Sequence, residues 1–159
     1  MSDQIKHECG IAFIRLLKPV QYYIDKYNTP TYGLDKLYLL MEKQHNRGQD
    51  GAGVSTIKID VAPGSRFISR RRSNNTHPIK DIFNKIYQKY ETVSLKNNAF
   101  LKDGAWLKEN VAFSGEVLLG HLRYGTHGIN NIEACHPFLR QNNWMTRNLI
   151  LAGNFNMTN

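Results

Sequence analysis

Apolar positions along the chain fall into short continuous runs and longer stretches with a helical stride. "GIAFIRLL" (10–17) and "GAGVSTIKI" (51–59) are rich in Ile, Val and Phe with glycine at one end, the pattern of buried strands. "VLLGHLRY" (117–124) and "NLILAG" (148–153) read the same way. Between the first two runs, Leu34, Leu37, Tyr38 and Met41 recur at helical spacing, and Lys43 and His45 supply charges suited to a helix C-terminus. A second helix is predicted from a single apolar face of Ile79, Ile82, Phe83, Ile86, Tyr87 and Tyr90, with Pro78 in its first turn. Residues 61–75 contain Pro63-Gly64, the triplet Arg70, Arg71 and Arg72, and Ser-Asn-Asn, so an exposed turn leading into a basic edge strand or loop is expected there. Residues 94–112 show little periodicity, and no repeat or low-complexity segment is present. The pattern as a whole predicts strands and helices in one α+β unit. The final residues, Thr158 and Asn159, are of the kind that start a helix, so the reading is of a domain interrupted partway.

Composition narrows the class. With 159 residues, 41% of them hydrophobic, the chain can bury a core and does not read as a solvated linker. The formal charge of +8 is a weak pointer to anionic partners, because outside the arginine triplet the basic residues are scattered among Asp and Glu. Two cysteines, Cys9 and Cys135, cannot form a disulfide framework. The opening apolar stretch is broken by Arg15 and Lys18, unlike a signal peptide or membrane span, so a cytoplasmic setting is the default expectation.

Candidate chemistry is sparse when each motif is taken alone. In "EKQHNRGQDGAGV" (42–54), the spacing of Gly48, Gly51 and Gly53 does not match a phosphate-binding loop and leads into a strand, so it reads as a helix-to-strand connection. A lone Cys9 would ordinarily be a small buried hydrophobe. A catalytic cysteine needs its thiolate and hence a base. Cleavage before Cys9 would remove "MSDQIKHE" and leave an α-amino group, of pKa about 7.7 to 8.0, able to take the thiol proton. Cys135 and His136 have no metal-ligand spacing, and neither a metal nor a cofactor is expected.

In order along the chain, Cys-Gly-Ile before a strand, "QHNRGQDGAG", "GHLRYGTHG" and "LAGNFNMTN" resemble the motifs of class II glutamine amidotransferase domains, and they span residues 9–159. Within that family the likeness is greatest to the glutaminase domain of amidophosphoribosyltransferases of purine synthesis, with the glucosamine-6-phosphate synthase domain as its neighbour. The resemblance implies an N-terminal nucleophile hydrolase fold, an αββα sandwich of two antiparallel sheets between helical layers, of which this chain would hold the N-terminal portion. It implies that residues 1–8 are a propeptide and that Cys9 attacks the side-chain amide of glutamine, forming a thioester and releasing ammonia. Arg47 would stand beside the nucleophile and Gly48 would pack against the substrate. Arg123 would hold the α-carboxylate through its two-pronged guanidinium, with Thr126 and His127 around the same substrate. Asn154 and the N–H of Phe155 would form the oxyanion hole.

The sequence departs from the family pattern in three places. Asn46 is inserted between His45 and Arg47, Gly153 stands at a histidine position, and Phe155 stands at a glycine position. The implied partners are glutamine and an ammonia acceptor such as a C-terminal phosphoribosyltransferase domain, in a homo-oligomer without membrane attachment. The acidic residue that grips glutamine's α-amino group in such enzymes would follow residue 159, so the 159-residue chain is expected to be poorly active and to expose apolar surface. Three alternatives stay open at this level: a sugar-phosphate amidotransferase, a catalytically silent interaction domain and, least favoured, a nucleic-acid binder acting through Arg66 and Arg70 to Arg72.

Overall fold

The computed structural model describes residues 8–125 and 131–155. They form a mixed α+β structure with antiparallel sheets. In chain order the elements are β1 (Gly10–Arg15), α1 (Val20–Tyr27), α2 (Tyr32–Lys43), β2 (Gly51–Ile57), β3 (Ile68–Ser73), α3 (Pro78–Lys96), α4 (Gly104–Asn110), β4 (Val117–Arg123), β5 (Phe138–Arg140) and β6 (Leu149–Leu151). Strands β1, β4, β2 and β3 pair in that order, antiparallel throughout, and β5 pairs with β6 in a separate two-stranded sheet.

The two predicted helices form as their apolar stripes require. Leu34, Leu37 and Met41 of α2, and Ile79, Ile82, Phe83, Ile86 and Tyr90 of α3, are buried against one face of the large sheet. Pro78 begins α3, where its missing N–H costs nothing. The Nδ1 of His45 lies 2.8 Å from the carbonyl oxygen of Glu42, so this side chain reaches a carbonyl of the last turn of α2. Tyr87 donates to Asp35 at 2.9 Å and ties α3 to α2.

Side-chain alternation divides the sheet into two unequal faces. Ala12, Ala52, Val54, Leu118 and Leu122 enter the core with the helices, and Gly120 lets Met41 and Leu37 close on the backbone of β4. On the other face the covering is partial. The segment Cys135–Pro137 crosses β2, because Gly53 carries no side chain where the His136 carbonyl lies. That explains why every residue of β2 up to Thr56 is buried. β1 differs from its reading as a fully buried strand: Ile11 and Phe13 are 45% and 61% exposed, since nothing among the described residues lies over them.

The basic segment is an edge strand, β3, and two of its arginines have definite work. Arg72 bonds the carbonyls of Glu133 and Cys135 and pairs with the Glu133 carboxylate at 2.9 Å, and Arg70 reaches the Pro137 carbonyl at 3.4 Å. Three elements were missing from the sequence-based expectation: the short helices α1 and α4, and strand β5.

Candidate functional site

The register of the large sheet decides which distant residues become neighbours. Gly10 opposes Leu122 and Gly51 opposes Arg123, so β1 and β2 begin where β4 ends. Cys9, one residue before β1, therefore meets Tyr124, one residue after β4. The Tyr124 N–H points at the Cys9 sulfur at 3.5 Å, and the thiol lies 4.0 Å from the Tyr124 carbonyl oxygen.

The loop between α2 and β2 closes on the same end. A Cβ at Gly48 would lie 2.6 Å from the Arg123 carbonyl carbon and 2.7 Å from its oxygen, so backbone meets backbone there only because the residue is glycine. Gln44 donates to the Ile11 carbonyl at 3.2 Å and ties the end of α2 to β1. Asp50 donates its N–H to the Arg123 carbonyl at 3.1 Å and accepts the Gly125 N–H on its carboxylate at 2.7 Å. Arg123 is buried, with its guanidinium folded beside Gly125.

Arg47 stands apart from this cluster. It ends a 3-10 turn, His45–Arg47, and its side chain is exposed, with no hydrogen bond to Cys9. Asn46 lies in the middle of that turn, after α2 has ended at Lys43 and before the Gly48 contact. Beside the turn, an open cleft of about 470 Å³ runs to the start of α3, bordered by Glu42, His45, Gly48, His77 and Lys80. It shares Gly48 with the Cys9 cluster, but neither Cys9 nor Arg123 lines it, and hydrogen-bond geometry places the candidate chemistry at the sheet end instead.

The last motif is anchored through two histidines that had no assigned role. His121 lies on β4, two residues before Arg123, and is almost completely buried. Its Nε2 is 3.1 Å from the Gly153 carbonyl oxygen, while the Gly153 N–H approaches the Nδ1 of His136 at 3.2 Å. The two rings pack with centroids 4.4 Å apart. Burial, reinforced by His136 and Arg123, pushes His121 down to about 4, against the opposing pull of the Gly153 carbonyl. Burial likewise lowers His136. Both imidazoles are consequently neutral at pH 7, which gives His121 its proton on Nε2 and leaves the His136 Nδ1 free to accept.

Phe155 folds back onto this clamp. Its ring packs 4.9 Å from that of His136, and a side chain added at Gly153 would run into it. Asn154 is exposed and makes no hydrogen bond to Cys9 among the described residues. Thr126 and His127 lie outside the described residues.

Of the residues singled out from sequence, Cys9, Gly48 and Arg123 lie at one end of the large sheet, whereas among the described residues Arg47, Asn154 and Phe155 make no hydrogen bond to the sulfur. Asp50 was overlooked, because its bond to Gly125 joins positions 75 residues apart in sequence. Cys135 is buried against Ser73 and Asn131 carbonyls, and burial raises its thiol above the ordinary value despite Arg123 and Arg72. Among the described residues no group of three His, Cys, Asp or Glu is placed to hold a metal ion, and no helix is long and apolar enough to cross a membrane. No protein-family model, curated protein or solved structure matches the chain.

Proposed function

We propose that the chain is the cysteine-dependent glutaminase part of a class II glutamine amidotransferase, with an N-terminal nucleophile hydrolase fold. Within that class our reading is an amidophosphoribosyltransferase of purine biosynthesis, cytoplasmic and oligomeric, passing ammonia to phosphoribosyl pyrophosphate in a further domain. The observation that carries this reading is the meeting of three distant motifs: the Cys9 sulfur against the Tyr124 N–H, with Gly48 seated on the Arg123 backbone.

The residues suit the chemistry as follows. Once Cys9 is N-terminal, its α-amino group takes the thiol proton, and the thiolate attacks the glutamine side-chain carbonyl carbon. The C–N bond breaks, the nitrogen leaves as ammonia with the proton returned by the amine, and water then cleaves the thioester to glutamate. An N–H aimed at the sulfur favours the thiolate. Arg123 is the α-carboxylate partner, with Thr126 and His127 beside it, and Asn154 with the Phe155 N–H forms the oxyanion hole in the substrate complex, since catalytic contacts commonly tighten only there. The turn of Phe155 toward His136 supports this role, because it keeps the ring off the glutamine side.

A second reading, a catalytically silent relative, draws on the lack of contact between Asn154 or Arg47 and Cys9. Intact mass, labelling by a diazo-ketone glutamine analogue and ammonia release separate the two. The proposal expects loss of residues 1–8, one label on Cys9, ammonia from glutamine, and loss of both label and ammonia in Cys9→Ala but not in Cys135→Ala. Labelling of Cys135 alone, or an unlabelled chain that releases no ammonia, overturns it.

A further inference from the structure

Asp50 touches the peptide on both sides of Tyr124. Its backbone N–H bonds the Arg123 carbonyl at 3.1 Å, and its carboxylate accepts from Gly125 at 2.7 Å. The second is a short charge-assisted bond, stronger than a neutral one. Between those two fixed points lies Tyr124, whose N–H faces the Cys9 sulfur at 3.5 Å. The peptide plane that carries this N–H is held by the Asp50 backbone N–H on the Arg123 carbonyl, and the next plane, on the far side of the Tyr124 Cα, by the Asp50 carboxylate on the Gly125 N–H, so the side chain fixes the turn from its second plane. The side chain reaches Gly125 from the residue just before β2, so the clamp joins the start of β2 to the end of β4.

We infer that Asp50 is a positioning residue for Cys9: by holding the Arg123–Gly125 turn, it keeps the Tyr124 N–H directed at the sulfur and so sets the reactivity of the thiol. This deepens the proposed function and rests on Cys9 being its reactive group. Asp50 does not touch the sulfur, and its negative charge by itself would oppose the thiolate. Geometry and charge therefore make opposite predictions for a neutral replacement. Asn keeps a carbonyl oxygen able to accept the Gly125 N–H, whereas Ala keeps neither acceptor nor charge.

The test is the rate of Cys9 alkylation by iodoacetamide in the full chain, followed by peptide mass, together with the amide proton resonance of Gly125. Buried Cys135 serves as the internal control. Asp50→Ala is expected to slow Cys9 alkylation at least tenfold and to move the Gly125 amide resonance upfield, while Asp50→Asn stays within threefold of the parent on alkylation. An Asp50→Ala protein alkylated at the parent rate, or one whose Gly125 resonance has not moved, overturns the inference. If Asp50→Ala does not fold, a tenfold loss in Asp50→Asn overturns it equally. A parent chain that alkylates at Cys9 but never releases ammonia from glutamine defeats the glutaminase proposal alone. A chain that hydrolyses glutamine with no effect of Asp50 on alkylation defeats this inference alone.

Discussion

Phe155 fills the space that a side chain at residue 153 would otherwise need, so the residue types at 153 and 155 are coupled. With the ring of Phe155 placed here, a Cβ at 153 has room only if the ring shifts, and the ring would then give up His136 as a packing partner at 4.9 Å. Gly153→Ala is therefore expected to cost about 1–3 kcal/mol through overpacking. Adding Phe155→Gly should recover a large part of that loss, although Phe155→Gly alone is itself destabilising. Urea titration of the two single variants and the double variant gives the coupling energy. Additive effects would show that the ring and the glycine are independent.

At the scale of elements, Glu116 performs a similar joining task at the far end of the sheet. Nearly buried at the start of β4, it pairs with Lys108 of α4 at 2.7 Å and accepts the Ile59 N–H beyond β2 at 2.9 Å. Glu116→Ala would strand a half-buried ammonium and a backbone donor together. It is expected to cost about 3–5 kcal/mol, whereas Lys108→Met should cost less, because the remaining carboxylate keeps the Ile59 bond. Chemical denaturation of both variants checks the order.

The same elements show what could be read from the sequence. Strands β1, β2, β4 and β6 and helices α2 and α3 were legible because each repeats its apolar signal over several residues. α1 was not, because only Val20 and Ile24 of its eight residues are buried and its tyrosines stack on one another and on α2, Tyr23 against Tyr27 at 6.3 Å and Tyr27 against Tyr32 at 4.3 Å. α4 is one helical turn repeated, announced only by the Asp103 cap on Trp106. β5 has three residues and no alternation to detect. The meeting of Cys9 with Tyr124 depends on strand register, which no local pattern carries, and it was not anticipated. Asp50 and the two histidines were missed for the same reason: their partners are 75, 32 and 17 residues away in sequence.

For the molecule as a whole, the histidine pair makes stability depend on pH. An ordinary imidazole in the unfolded chain titrates near 6.5, while folded His121 titrates at about 4 and folded His136 below its ordinary value. As pH falls through 6.5 the unfolded state takes up protons that the folded state does not, so stability declines with acidity until the folded pKa is passed. For His121 the slope approaches about 1.4 kcal/mol per pH unit within its window, His136 adds to it in the same direction, and stability is full above the unfolded value. The melting temperature is expected to drop between pH 7 and pH 4.5, and to drop less in His121→Gln, in which one of the two groups is absent. An equal slope in that variant would place the acid sensitivity elsewhere.

Among the described residues the small sheet of β5 and β6 shares no strand pairing with the large one; it is docked through arginine contacts to carbonyls, the imidazole clamp on Gly153 and the passage of Cys135–Pro137 over Gly53. A ladder must open strand by strand, but a patch of side-chain contacts can release together. Deuterium uptake under native conditions should accordingly divide the backbone into two cooperative units, with amides of β5 and β6 exchanging at a common, lower opening free energy than those of β4. Mild acid should lower the first of these energies before the second, making the hairpin the part of the molecule that answers to protons first.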